Sequence, residues 1–120
     1  MKKLFVLLLL MACTEKTTEM SLAPEEFNIK YKNTAGAILL DVRTEAEVSK
    51  GTIASSRNIV YDDSFAGKLS SLPADAPIFV YCAAGKRSAK AVEILKEKGF
   101  KEVYQLKGGL NAWKDAKLPM

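Results

Sequence analysis

Ile78-Phe79-Val80-Tyr81-Cys82-Ala83-Ala84-Gly85-Lys86-Arg87-Ser88 joins the clearest strand in the chain, which follows Pro73 and Pro77, to a helical pattern from Ser88 to Lys98 that ends at Gly99. A thiol at such a junction sits where backbone N–H groups and a helix N-terminus converge, which favours the thiolate and holds an anion beside it. Free cysteines are also among the most buried residues, so Cys82 could be a small core hydrophobe. Its neighbours point the other way. Gly85 opens backbone angles closed to other residues, and Lys86 and Arg87 are cations that seldom face a core.

Working outward from this run, strands and helices alternate. Pro24-Glu25-Glu26 opens a helix, with proline at a first helical position and acids at its positive end, fading near Asn33 and Gly36. Ala37-Ile38-Leu39-Leu40 reads as a strand buried on both faces. Asp41-Val42-Arg43 lies at its end, and Thr44 caps a short helix with Glu47 three positions on. Arg57 to Tyr61 is a weak strand candidate, and Asp62-Asp63-Ser64 caps a helix to about Leu72. In the helix after Cys82, the inward positions are read as Ala89, Val92 and Leu95; the lysines between Lys90 and Lys101 form a solvated face. Val103 to Leu106 is a last strand, Gly108-Gly109 a tight turn, and Leu110 to Ala116 a helix that packs Trp113. The pattern predicts an α/β fold with a central, largely parallel sheet flanked by helices on both faces. Ligands in such sheets bind beyond the carboxyl ends of the strands, where Asp41 with Arg43 and Cys82 with Lys86 and Arg87 both fall.

At the N-terminus, Lys2 and Lys3 precede an apolar run ending at Ala12, too short to span a bilayer, and Cys13 follows before the chain turns polar. Residues 1–12 are expected to be a secretory signal, 13–21 a polar tether and 22–120 one domain, large enough for a single core. Leu10-Met11-Ala12-Cys13 resembles a bacterial lipobox, in which the cysteine is lipidated and heads the mature chain; Met11 departs from the favoured residues. The resemblance implies a protein of the bacterial cell envelope, held to a membrane by its lipid and facing the periplasm. Cleavage before Cys13 removes two lysines and lowers the formal charge from +4 to +2. With no basic stretch, this gives no support to nucleic-acid binding. Cys13 and Cys82 are the two cysteines and histidine is absent, so no Cys-His pair, Ser-His-Asp triad or credible zinc site can be assembled. No metal or other cofactor is expected. Activation of Cys82 has to come from cations, N–H groups and the helix end.

Three stretches together resemble the rhodanese family of single-domain sulfurtransferases: Leu39 to Glu47, the loop Cys82 to Ser88, and Leu106-Lys107-Gly108-Gly109-Leu110-Asn111-Ala112-Trp113 with Leu118-Pro119. The resemblance implies a rhodanese-like fold in which Cys82 takes up a sulfane sulfur as a persulfide from an anionic donor such as thiosulfate. It then passes the sulfur to a thiol or cyanide, or to a protein acceptor. Ala83, Ala84, Gly85, Lys86, Arg87 and Ser88 would surround the substrate. Arg43 would share in anion binding and Asp41 would steady the loop, or the two would only shape the strand end through a salt bridge. One segment departs from the family. Gly51-Thr52-Ile53-Ala54-Ser55-Ser56 stands where Gly-His-Ile-Pro-Gly-Ala is usual. Cys82 and Arg87 enclose four residues, against five in the related phosphatases and arsenate reductases, a narrower ring that suits sulfur better than a tetrahedral oxyanion. The runner-up to an enzyme is a persulfide carrier or relay module with little turnover on thiosulfate.

Overall fold

The computed structural model describes residues 18–120. The signal segment, Cys13 and the first part of the tether lie outside the described residues. In chain order the elements are β1 (Thr18–Leu22), α1 (Pro24–Lys32), β2 (Ile38–Asp41), α2 (Glu45–Ser49), β3 (Arg57–Asn58), α3 (Phe65–Lys68) running into a 3-10 turn (Leu69–Ser71), β4 (Ile78–Tyr81), α4 (Lys86–Glu97), β5 (Glu102–Leu106) and α5 (Gly109–Asp115). The strands form one sheet in the order β1-β5-β4-β2-β3, every neighbouring pair parallel. β4 is central, and the chain leaves β2 towards one edge and β4 towards the other. The crevice where loops diverge therefore lies beyond the carboxyl ends of β2 and β4, where Asp41 and Cys82 sit.

All residues of β2 and β4 are buried, because both sheet faces are covered. Alternation divides the strand residues between two cores. Leu40, Ile78, Val80 and Val103 pack with Phe65, Leu69, Ala91 and Leu95, from α3, its 3-10 turn and α4. Leu39, Phe79, Tyr81, Tyr104 and Leu106 pack with Phe27, Leu110 and Trp113, from α1 and α5 on the opposite face. There Phe27 meets the rings of Phe79 and Trp113 edge-on, with centroids 5.4 and 6.4 Å apart.

Several local expectations change. Residues 18–21, read as the end of a polar tether, belong to edge strand β1, which pairs with β5 from Thr18↔Glu102 to Leu22↔Leu106. Its polar composition is what an edge strand tolerates, and the partner that makes it a strand lies some eighty residues on. The strand expected over 57–61 shortens to Arg57–Asn58, although Ile59 and Tyr61 still donate backbone hydrogen bonds to Asp41 and Val42. The helix expected to run to Leu72 breaks into a four-residue α-helix and a 3-10 turn. α4 begins at Lys86, and its inward face is Ser88, Ala91, Val92 and Leu95, whereas Ala89 is exposed. Apolarity suggested Ala89; the buried slot goes to the polar Ser88, which has a polar partner in the loop below.

That loop is held by α5. The N–H of Leu110 donates to the carbonyl of Cys82 at 2.8 Å, and that of Asn111 to the carbonyl of Ala83 at 3.0 Å. The approach is possible because residue 109 is glycine: at its φ of +65°, a Cβ would stand 2.5 Å from the Ala83 oxygen and 2.6 Å from the Cys82 oxygen. Gly109→Ala should force α5 off the loop and lower stability by about 2–3 kcal/mol, the sum of two backbone hydrogen bonds and left-handed strain. Chemical denaturation measures this, and a wild-type midpoint would show that α5 does not hold the loop. In the departing segment 51–56, exposed Ser55 has a φ of 74°, at the position where the family pattern has glycine. The turn keeps a glycine-like conformation without the glycine. Ser55→Gly should therefore stabilise by up to about 1 kcal/mol, strain relief minus the chain entropy glycine adds, seen as a rise in Tm.

Candidate functional site

Cys82 is 1 % exposed, so its sulfur depends on protein groups rather than water. Gly85, with φ 103°, ends the loop and precedes the first turn of α4. Its N–H donates to Sγ at 3.1 Å, the N–H of Ser88 donates at 3.3 Å, and Ser88 Oγ lies 3.3 Å away. With their carbonyls drawn towards α5, the planar peptides at 82–83 and 83–84 turn their N–H groups the opposite way, and that of Ala84 also acts on the sulfur. Burial pushes the Cys82 thiol up, but the Ser88 hydroxyl and the N–H groups of Ser88, Gly85 and Ala84 outweigh it and hold it below its ordinary value.

The cations sit differently from a simple anion funnel. Arg87 makes a two-pronged ion pair with Glu47 of α2, Nη1 to Oε1 at 2.7 Å and Nη2 to Oε2 at 3.0 Å. Glu47 Oε1 also accepts from the N–H and hydroxyl of Thr44, closing the capping box. The hydrogen bond from Arg87, then that from Thr44, hold the Glu47 carboxyl down at about 2. Arg87 still acts electrostatically on Cys82, but half of its hydrogen-bonding fork faces a carboxylate. Lys86 is exposed on the first turn of α4. Ala83 and Ala84, half-buried and exposed, bring only methyl groups to the rim.

Asp41 and Arg43 are both buried, at 0 % and 5 % exposure, and are bound to each other. Arg43 Nε donates to Oδ1 at 3.0 Å and Nη2 to Oδ2 at 2.8 Å, while Nη2 also donates to the Gly51 carbonyl at 2.7 Å. Asp41 further accepts from the Arg43 N–H and from Thr52 Oγ1, at 2.9 Å each. Beside them, the Tyr81 hydroxyl contacts Thr52 Oγ1 at 2.7 Å and Ser56 Oγ at 2.8 Å and accepts from the Ile53 N–H. Thus Thr52, where the family pattern has histidine, ties its loop to β2 and β4 through hydroxyls. This geometry favours the second of the two readings open for the pair, a buried salt bridge that shapes the end of β2. It leaves little of Arg43 for a ligand.

Every loop residue singled out from the sequence comes to the Cys82 corner, with Asp41 and Arg43 at the neighbouring strand end. Two polar residues of this corner were missed. By its sequence Glu47 reads only as a helix cap, and its pairing with Arg87 spans forty residues. Gln105 of β5 donates from Nε2 to the Gly85 carbonyl at 2.8 Å and to Ser88 Oγ at 2.9 Å. Its one sequence signal is a polar side chain between Tyr104 and Leu106 of a predicted strand.

The chain is similar to known proteins. A family model for the rhodanese-like domain matches residues 24–116. A protein from Allochromatium vinosum named sulfurtransferase is 30% identical over 96 residues, which cover 80% of this chain and 89% of the relative. A tRNA uridine(34) hydroxylase from Pelagibacter ubique is 38% identical over 89 residues, 72% of this chain but only 29% of that protein. Among solved structures, a rhodanese-related protein from Thermoplasma volcanium superposes with a TM-score of 0.74 at 32% identity, covering 83% of this chain and 95% of that one. The five-stranded parallel sheet, the cysteine loop at the end of its central strand and these similarities lead to one assignment: the chain belongs to the rhodanese family, with sulfurtransferases among its relatives.

Proposed function

We propose that the protein transfers a sulfane sulfur from an anionic donor such as thiosulfate to a thiol or cyanide through a persulfide on Cys82. The observation that carries this reading is the set of N–H and O–H donors converging on a buried, thiolate-favouring sulfur. The Cys82 thiolate attacks the outer sulfur of thiosulfate, a new S–S bond forms, and sulfite leaves with the electrons of the bond that breaks. The persulfide's negative terminal sulfur is then stabilised by fixed dipoles that need not reorganise. Cyanide or a thiolate attacks that sulfur, the S–S bond to Cys82 breaks, and the thiolate is restored for the next cycle. No proton has to be relayed, which suits a site without histidine.

One observation favours the alternative of a persulfide carrier with little turnover on thiosulfate. Both guanidinium groups of the site, Arg43 and Arg87, are engaged by carboxylates, leaving Lys86 as the exposed cation of the loop. A small dianion gains less from such a rim than a persulfide delivered by a larger thiol or a protein.

Incubation of the purified protein with thiosulfate should add about 32 Da at Cys82, a persulfide that cyanide removes as thiocyanate, and Cys82→Ser should gain nothing. The loading rate should rise with pH to a midpoint below that of an ordinary thiol, because the donors around Sγ favour the thiolate. An equal mass gain in Cys82→Ser overturns the assignment. Loading without repeated turnover, but with rapid turnover on a thiol persulfide, identifies the carrier.

We propose further that Cys13 is lipidated and tethers the domain to a membrane of the bacterial cell envelope on its periplasmic side, a reading supported by Lys2-Lys3, the apolar run and the residues before Cys13. The full-length protein expressed in bacteria should fractionate with membranes and resist high salt, because a cysteine with two or more acyl chains anchors stably where one does not. Mass spectrometry of the mature N-terminus checks it: an unmodified terminus at another residue excludes the anchor.

A further inference from the structure

We propose that Gln105 is a positioning residue that fixes the proton of the Ser88 hydroxyl towards the Cys82 sulfur. The inference rests on the reading of Cys82 as the reacting thiolate and assigns a function to a residue that the family resemblance did not mark.

The geometry determines which atom of the Gln105 amide is which. The Gly85 carbonyl can only accept, so the amide atom 2.8 Å from it is the nitrogen. The same nitrogen lies 2.9 Å from Ser88 Oγ. An amide nitrogen does not accept, so Gln105 donates to Ser88, and the two hydrogens of Nε2 are both used. One lone pair of Ser88 Oγ is thereby occupied. The hydroxyl proton must point elsewhere, and the thiolate 3.3 Å away can only accept. Ser88 is fully buried, so water does not compete for that proton.

The bond to Gly85 gives the same side chain a second effect. It holds the carbonyl of the residue whose N–H donates to the sulfur at 3.1 Å, and the Gly85 carbonyl also accepts the first backbone bond of α4 from Ala89 at 3.2 Å. Gln105 thus ties β5 to both ends of the short path from the loop to the helix. Its strand position makes this possible: it lies beside Val80 of β4 in parallel register, two residues before Cys82, and shares the sheet face of Val103 beneath α4. Gln105 is half-buried there, and these two acceptors fix its amide on the side that faces the loop.

The test measures the pH dependence of Cys82 alkylation by iodoacetamide in the full chain, resolved by mass spectrometry of the Cys82 peptide so that Cys13 does not interfere. Wild type, Gln105→Met, Ser88→Ala and the double variant are compared; Met keeps the length of Gln without its donors. Arg87 with its partner Glu47, Arg43 with its partner Asp41, and Lys86, the charged groups around this corner, are common to all four. Gln105→Met should raise the midpoint by about half a pH unit or more, through loss of a donor to the charged form. In the Ser88→Ala background its shift should be clearly smaller, because only the bond to Gly85 is left to lose. Its slower alkylation at neutral pH should recover above both midpoints, as a general loss of structure would not. A wild-type midpoint in Gln105→Met, or an equal shift with and without Ser88, overturns the proposal.

If Gln105→Met does not fold, NMR of the wild type decides. The Gln105 side-chain amide signals should titrate with the Cys82 midpoint, and signals indifferent to that titration overturn the proposal. Failure of the sulfur-transfer reading is seen separately, as wild-type protein that takes up no sulfur from any donor whatever its alkylation midpoint.

Discussion

Two hydrogen bonds, from the backbone N–H groups of Leu110 and Asn111 to the carbonyls of Cys82 and Ala83, set the orientation on which the site depends. A peptide group is rigid, so a carbonyl drawn to one side sends the next N–H to the other. By taking the carbonyls, α5 turns the cysteine loop into a surface of donors. This requires the chain ends of β4 and β5 to lie close together, which parallel pairing of those strands supplies. It also requires that nothing project from residue 109. The central sheet, the glycine turn and the Cys82 sulfur are therefore parts of one constraint.

Burial and hydrogen bonding oppose each other at Cys82. Enclosure alone would favour the neutral thiol and leave an inert core residue. The N–H groups of Gly85 and Ser88 and the Ser88 hydroxyl reverse the sign because they reach a sulfur that water hardly screens. Enclosure then strengthens each of these contacts. The same logic explains why the inward slot at the start of α4 is a serine: it is filled by the polar group that the sulfur needs, and Gln105 satisfies that group in turn.

The charges of the site are arranged as fixed pairs rather than as free attractors. Asp41 and Arg43 are buried together, and removing either partner would leave the other without compensation in the interior. Glu47 and Arg87 are only about two-thirds covered, so their pair contributes less to stability and more to geometry. It ties α2, at the end of β2, to the first turn of α4, at the end of β4, across the crevice between the strands. The positive potential that remains near Cys82 is weaker than the count of basic residues suggests.

The sequence alone determined the α/β class, the position of most strands and helices, and the candidate site around Cys82. Those features are written locally, in the apolar runs at 38–40 and 78–81, in the Thr44–Glu47 capping box, and in a cysteine followed within a few residues by glycine, cations and a helix. Only the tertiary structure decided that residues 18–21 are a strand, that Ser88 rather than Ala89 faces inward, and that Arg87 and Arg43 are held by carboxylates. The contacts that Gln105 and Gly109 make with the loop exist only there as well. Edge-strand pairing and the fork from Arg87 to Glu47 join residues forty to eighty positions apart. No local pattern records a partner at that distance, because proximity there is created by closing the sheet.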